Sequence, residues 1–251
     1  MDLGMNGRVA LVLGASKGIG RSVAIALARE GTRVALVSRS AERLEPVVDE
    51  IGGDAQAFVA DTGDLDRMAE LTDEVSARMG PVEILVLNTG GPPRGGALEH
   101  GVEDWEAAYR SLVLAPRLLV EGVLPRMRER GWGRIVNVAS SSIREPIPGL
   151  ALSNSNRMAA VGFLNTLARE VAADGITVNT SATGRFATER LAEGYGGSLA
   201  EAERVAAEEV PAGRLGAPDE YGDLVAFLCS ERAAYLTGSV IPLDGGLTRS
   251  S

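Results

Sequence analysis

Apolar and polar positions along this chain alternate between two patterns. Short, nearly unbroken apolar runs occur at Arg8–Leu13, Arg33–Ser38, Ala55–Ala60, Val82–Leu87, Gly133–Ala139, Ile176–Ser181 and Ser239–Leu243. Between them lie longer stretches with apolar residues three or four positions apart, as at Leu65, Met68, Leu71 and Val75. The first pattern predicts strands covered on both faces, and the second predicts amphipathic helices. Helices are expected at Arg21–Arg29, Ala41–Ile51, Leu65–Met79, from Val102 to about Arg130, up to about Ala173 after the fifth strand, and over Pro211–Cys229. Strands that alternate with helices pair in parallel through crossovers. The prediction is one α/β domain over residues 1–251, a doubly wound parallel sheet of about seven strands with helices on both faces.

In such a sheet ligands collect beyond the carboxyl ends of the strands. Gly14–Gly20, Ser38–Arg39, Asp61–Thr62, Asn88–Gly91, Ser140–Ser142 and Thr183–Thr188 all fall there. The turn Gly14–Ala15–Ser16–Lys17–Gly18–Ile19–Gly20 joins the first strand to the first helix, whose unpaired N–H groups suit a diphosphate. A glycine turn alone also serves any strand-to-helix junction, so its company at the other strand ends carries the argument.

Composition narrows the partners. With 45% hydrophobic residues the chain can bury a full core, and 25 Lys and Arg against 34 Asp and Glu give a net charge of −9. That balance argues against nucleic acid or an anionic membrane and for a small-molecule partner. The single cysteine, Cys229, lies in an apolar helical run and reads as a buried, inert thiol, and no metal-ligand cluster is apparent. Asp2 and the early break at Gly14 leave neither a signal peptide nor an apolar span of about 20 residues, so a cytoplasmic protein is expected. The single histidine, His100, beside Gly101, is expected to be solvated, and Gly194–Ser198 to be a mobile loop.

The glycines at 14, 18 and 20, with Asn88–Thr89–Gly90–Gly91 and Leu243–Asp244–Gly245–Gly246, resemble the short-chain dehydrogenase/reductase family. Gly133–Arg134–Ile135–Val136–Asn137, Gly175–Ile176–Thr177–Val178–Asn179 and Thr237–Gly238–Ser239 are similar to its 3-oxoacyl-carrier-protein reductase type. The resemblance spans nearly the whole chain. It implies a Rossmann-type fold and an oxidoreductase acting on a carbonyl or alcohol with a nicotinamide cofactor. It assigns cofactor contacts to Gly14, Ser16, Lys17, Gly18, Ile19, Gly20, Arg39, Asp61, Thr62, Asn88, Gly90 and Arg157, and nicotinamide contacts to Gly184, Phe186 and Thr188. Residues 184–215 would cover the substrate. A basic group about 20 residues past the glycine turn accommodates a 2′-phosphate, so Arg39 and Lys17 imply NADP(H) in preference to NAD. The helices at Val102–Arg130 and Ala151–Ala173 match the family's dimer-forming helices and imply a homodimer or homotetramer. Met158, Val161, Leu164, Leu167 and Val171 give these helices a continuous apolar face, although one face must in any case pack on the sheet.

The catalytic pattern departs from the family. Its proton donor is a tyrosine, aided by a lysine four residues later, an earlier serine and an asparagine. Aligning Gly162–Phe163 and Ala139–Ser140 puts Ser140 on the serine, Ser153 on the tyrosine and Arg157 on the lysine, and counting from Trp105 puts Leu112 on the asparagine. A serine hydroxyl has no accessible anion near neutral pH, and arginine does not cycle a proton. Ser140 and Ser153 are therefore expected to bind the reacting oxygen and Arg157 to stabilise charge. Pro116 lacks the N–H that would bond to Leu112 four residues back, so the Leu112 carbonyl is predicted to face the pocket, bonded to water or to Arg157. Tyr109, Tyr195, Tyr221 and Tyr235 are expected to pack rather than to replace the acid. By alignment Arg94, Arg144 and Arg185 surround the pocket mouth, which suggests an anionic or polar substrate. Two alternatives stay open: a lyase, isomerase or dehydratase reusing the pocket, and a non-catalytic NADP(H)-binding sensor or partner subunit.

Overall fold

The seven apolar runs pair into one parallel sheet in the computed structural model, which describes residues 2–250. The strands are β1 (Val9–Leu13), β2 (Arg33–Ser38), β3 (Gln56–Val59), β4 (Val82–Leu87), β5 (Gly133–Val138), β6 (Ile176–Thr183) and β7 (Val240–Leu243), in the order β3-β2-β1-β4-β5-β6-β7. The order reverses between β1 and β4, and this reversal opens a crevice at their carboxyl ends.

Alternate side chains of each strand serve opposite cores. Val9, Leu11 and Leu13 of β1 join the face covered by α3 (Leu65–Met79), α5 (Ala115–Arg130) and α6 (Ala151–Val171). Ala10 and Val12 join the face covered by α1 (Gly18–Arg29), α2 (Ala41–Ile51) and α9 (Pro218–Leu228). The predicted spacing in α3 holds, with Met68, Leu71 and Val75 buried and Leu65 packed beside them. Beneath the sheet, Arg134 is 2% exposed and donates to the carbonyls of Ser230, Gly133 and Gly175 at 2.8–3.1 Å, with its guanidinium over Trp132.

The helical region expected from Val102 to about Arg130 is present, with α4 (Val102–Tyr109) opening into a π-helical turn at Arg110–Leu114 before α5 begins. There the Ala115 N–H bonds to the Arg110 carbonyl, one residue farther back than in an α-helix. Two expectations need correction. Helix α1 begins at Gly18 rather than Arg21, so the glycine turn itself forms its N-terminus. The expected helix from Pro211 starts only at Pro218, because Gly213 has φ +68° and Pro218 supplies the first helical residue of α9. On the apolar face of α6, Val161, Leu164, Leu167 and Val171 pack into the protein's own core and Met158 is exposed. Residues 184–215 carry two further helices, α7 (Glu189–Glu193) and α8 (Leu199–Glu209). Among the described residues, no helix is long and apolar enough to cross a membrane.

Candidate active site

The glycine turn owes its shape to close approach. Gly14 and Gly18 have φ of +62° and +54°, and a Cβ on Gly20 would lie 2.2 Å from the Gly14 carbonyl oxygen and 2.5 Å from Asn88 Nδ2. β1, α1 and the end of β4 therefore meet more tightly than any side chain permits. The Ala15 N–H bonds to the Val37 carbonyl, tying the turn to β2, while Ile19 packs partly into the core and Ser16 is half-buried. Backbone N–H groups are left pointing into the crevice at a helix N-terminus, a cradle that fits a diphosphate.

The other expected cofactor residues are distributed around this cradle. Arg39 is exposed and, among the described residues, has no carboxylate within ion-pair distance. Lys17 instead pairs with Glu189 of α7 at 2.6 Å, and Thr188 packs its methyl group against Gly18. Asp61 closes its own turn by accepting from the Gly63 N–H at 2.8 Å, and Thr62 beside it is half-buried. Gly90 is drawn to Arg157, whose Nη2 donates to its carbonyl at 3.4 Å.

Ser140, Ser153 and Arg157 converge at the carboxyl end of β5. Arg157 Nε donates to Ser153 Oγ at 3.2 Å, one turn earlier on α6, and Nη1 donates to the Val138 carbonyl at 3.1 Å. The Ser142 N–H donates to Ser140 Oγ at 3.1 Å, across the single turn that follows β5. Ser153 is 7% exposed. Burial pulls the Arg157 pKa down to about 10, with the positive charge of Arg190 pushing the same way, so the guanidinium stays protonated at neutral pH.

For Leu112 only the alternative of a bond to Arg157 is contradicted. It lies in the π-helical turn, so the helix is indeed not straight, but the guanidinium of Arg157 spends its bonds on Ser153, Val138 and Gly90 rather than on Leu112. The Leu112 residue is buried. His100 also differs: its side chain is only 7% exposed, packed against Gly95 and 3.7 Å from Asp104. Gly95 pairs in turn with Gly149 and Ala151, which ties the loop after β4 to the start of α6. Of the three arginines expected at the mouth, Arg185 pairs with Glu209 and Arg144 donates to the Ser250 carbonyl, which leaves Arg94.

The segment after β6 is pinned by a pair that the sequence reading missed. Thr183 Oγ1 donates to Tyr221 Oη at 2.8 Å, and Phe186 meets the Tyr221 ring edge-on at 5.2 Å between centroids. Burial pushes the Tyr221 phenol up to about 12 and the Cys229 thiol up to about 12, so both are neutral, as expected for packing roles. Gly184 fits under Asp244, where a Cβ would lie 2.4 Å from Asp244 Cα, and its N–H bonds to the Leu243 carbonyl. Thr188 caps α7 by accepting from the Leu191 N–H. Nothing in the local pattern announces Tyr221: its partner lies 38 residues away.

The family described as Enoyl-(Acyl carrier protein) reductase matches residues 14–248, from the glycine turn to the last strand's tail. The chain belongs to the short-chain dehydrogenase/reductase family. As such it is an enzyme of the oxidoreductase type. This short-chain dehydrogenase/reductase is 32% identical over 250 residues to the D-threitol dehydrogenase of Mycolicibacterium smegmatis, covering 98% of this chain and 95% of that one. It is 31% identical to the 3-oxoacyl-[acyl-carrier-protein] reductase of Aquifex aeolicus, covering 98% and 100%. The L-sorbose reductase of Gluconobacter frateurii, solved with NADPH and L-sorbose, is similar at a TM-score of 0.92 and 32% identity over the full length of both chains.

Proposed function

We propose that this enzyme reduces a carbonyl group on a small molecule, or oxidises the corresponding alcohol, with NADP(H), and that Ser140, Ser153 and Arg157 hold the reacting oxygen. The observation that carries this reading is the direction of two hydrogen bonds. Both hydroxyl oxygens act as acceptors, Ser153 Oγ from Arg157 Nε and Ser140 Oγ from the Ser142 N–H. Each hydroxyl hydrogen is thereby left to donate to a ligand oxygen. Two such donors beside a permanent guanidinium stabilise an oxygen as it gains negative charge, an oxyanion-hole arrangement.

The glycine cradle fits a dinucleotide. Gly14, Ser16, Gly18, Ile19 and Gly20 would hold its diphosphate, Asp61 and Thr62 its adenine, Asn88, Gly90 and Arg157 its nicotinamide half, and Gly184, Phe186 and Thr188 the carboxamide. Arg39, free of any carboxylate partner among the described residues, would read the 2′-phosphate together with Lys17. When bound, the cofactor supplies or accepts the hydride. The protein's residues orient the oxygen and stabilise its developing charge. The proton comes from water, because no group here plays the general acid, a role typically worth about 10²–10⁴ in rate. Leu112 would contribute only through the shape of the π-helical turn. Residues 184–215 would form the substrate cover. The reading includes a cytoplasmic homodimer or homotetramer, supported by the single buried cysteine and by exposed Val102, Tyr109 and Met158 on the dimer-type helices.

The test is calorimetric titration with NADPH and NADH, followed by single-turnover transfer to a panel of ketones and aldehydes. Binding of NADPH with measurable oxidation by at least one carbonyl compound is expected. Binding without transfer favours a sensor or partner subunit, and failure to bind either nucleotide overturns the reading.

A further inference from the structure

One buried side chain holds both flanks of Gly184. Tyr221, near the start of α9, is fully buried and reaches two residues of the segment that follows β6. Its Oη accepts from Thr183 Oγ1 at 2.8 Å, and its ring meets Phe186 edge-on. Gly184 lies between those two anchors. A hydrogen bond and an edge-on aromatic pair both have preferred directions, so together they fix the orientation of the segment as well as its place. The phenol stays neutral because burial pushes it up to about 12, and its own hydrogen faces the Ser181 carbonyl at 3.5 Å.

The other contacts of the segment are mostly main-chain. The Gly184 N–H bonds to the Leu243 carbonyl at 3.0 Å, and Gly216 pairs on both sides of Phe186, accepting from the Ala187 N–H and donating to the Arg185 carbonyl, each at 2.9 Å. The side chain of Arg185 pairs with Glu209 inside the cover. Tyr221 alone leads back to the glycine cradle. Its neighbour Gly222 packs against α1 so closely that a Cβ there would lie 2.6 Å from the Ser22 carbonyl oxygen, and α1 is the helix whose N-terminus forms the cradle. The helix that carries Tyr221 therefore spans the two ends of the crevice, α1 on one side and Thr183 to Phe186 on the other.

We infer that Tyr221 is a positioning residue of the cofactor site, which through Thr183 and Phe186 holds Gly184 at a fixed reach from the diphosphate cradle, where the nicotinamide end of the dinucleotide lies. The assignment of that end to Gly184 and Phe186 rests on the reductase reading above. The hydroxyl serves only this end. The glycine turn takes its shape from Gly14, Gly20 and Asn88, so a ligand that stops at the diphosphate and ribose does not depend on the Thr183–Tyr221 bond.

The test compares NADPH with ADP-ribose 2′-phosphate, which lacks the nicotinamide ring, by calorimetric titration of the full chain. Tyr221→Phe keeps the ring and its contact with Phe186 but removes the hydroxyl, and Thr183→Val removes the other partner at nearly constant shape. Each is expected to weaken NADPH by about 2- to 12-fold, the fold-change of one ordinary hydrogen bond, and to leave ADP-ribose 2′-phosphate unchanged. The double variant should bind NADPH no more weakly than the weaker single variant, because the two hydroxyls make one bond. Thr183→Ser, which keeps the hydroxyl, should bind NADPH as the wild type does. Equal weakening of both ligands, or no weakening of either, overturns the positioning role while leaving the reductase reading in place. Failure of the wild type to bind NADPH overturns that reading, and the positioning role falls with it.

Discussion

A serine hydroxyl and a guanidinium do not change charge where most enzymes work. Burial pulls Arg157 down to about 10 from its ordinary, more basic value, so it keeps its proton well above neutrality. Its folded pKa is lowered while its charged form is cationic, so the unfolded chain binds the proton more strongly above about pH 10. Stability from this group therefore rises with pH only in that alkaline window, and at neutral pH the full cost of holding the charge remains. The consequence for catalysis is a flat profile. Single-turnover hydride transfer, measured by loss of NADPH absorbance, is expected to vary little between pH 6 and 9. Ser153→Ala should lower the rate by about 10²–10³ without introducing a pH step, because it removes one donor to the oxyanion and no titrating group. A clear step near pH 7 would show that a titrating acid takes part and overturn the water-supplied proton.

At the scale of elements, the start of α9 shows how local charge sets a boundary. Glu220 accepts from the Ala217 N–H at 2.7 Å and from both Arg214 nitrogens at 2.8 Å. The bond from Arg214, followed by that from the Ala217 N–H, brings its carboxyl down to about 2. A carboxylate whose folded pKa is depressed stabilises above its unfolded value, and the contribution disappears as pH falls from about 4.5 toward 2. Because the group is largely solvent-exposed, Glu220→Ala should cost about 1 kcal/mol or less in urea unfolding at pH 7, with the difference shrinking between pH 5 and 3. This cap also explains one of the misread boundaries. Residues 211–217 carry apolar residues at helix-like intervals, but Gly213 turns left-handed and the cap at Ala217 starts the helix anew. The strands were legible because burial on both faces leaves unbroken apolar runs, and the glycine turn because only glycine fits under Asn88. Pro116 signalled a break at Leu112 but not its π-helical form, since one extra residue per turn leaves Leu112 and Val113 buried without disturbing the apolar count. Ser153 and Arg157 could be placed by spacing on α6, but the direction of their hydrogen bond needed coordinates.

Across the whole molecule, the cover and the cofactor cradle share a cation. Lys17 belongs to the glycine turn, Glu189 to α7, and their separation by 172 positions explains why neither pattern reveals the pair. The proposed 2′-phosphate must compete with Glu189 for Lys17, whereas Arg39 stands free of any carboxylate among the described residues. Two substitutions separate these roles. Arg39→Glu should weaken NADPH by tenfold or more, through lost attraction and added repulsion, while NADH changes far less. Glu189→Gln should do the opposite on a smaller scale. An exposed ion pair is worth about 0.2–1 kcal/mol, so releasing Lys17 should tighten NADPH relative to NADH by roughly 1.5- to 5-fold at low salt. Paired titrations of both nucleotides at two ionic strengths read the ratio directly. If Arg39→Glu weakens both cofactors equally, Arg39 does not read the phosphate. If Glu189→Gln leaves the ratio unchanged while Arg39→Glu shifts it, Lys17 serves the cover alone. In that case discrimination between the nucleotides rests on the single cation that follows β2.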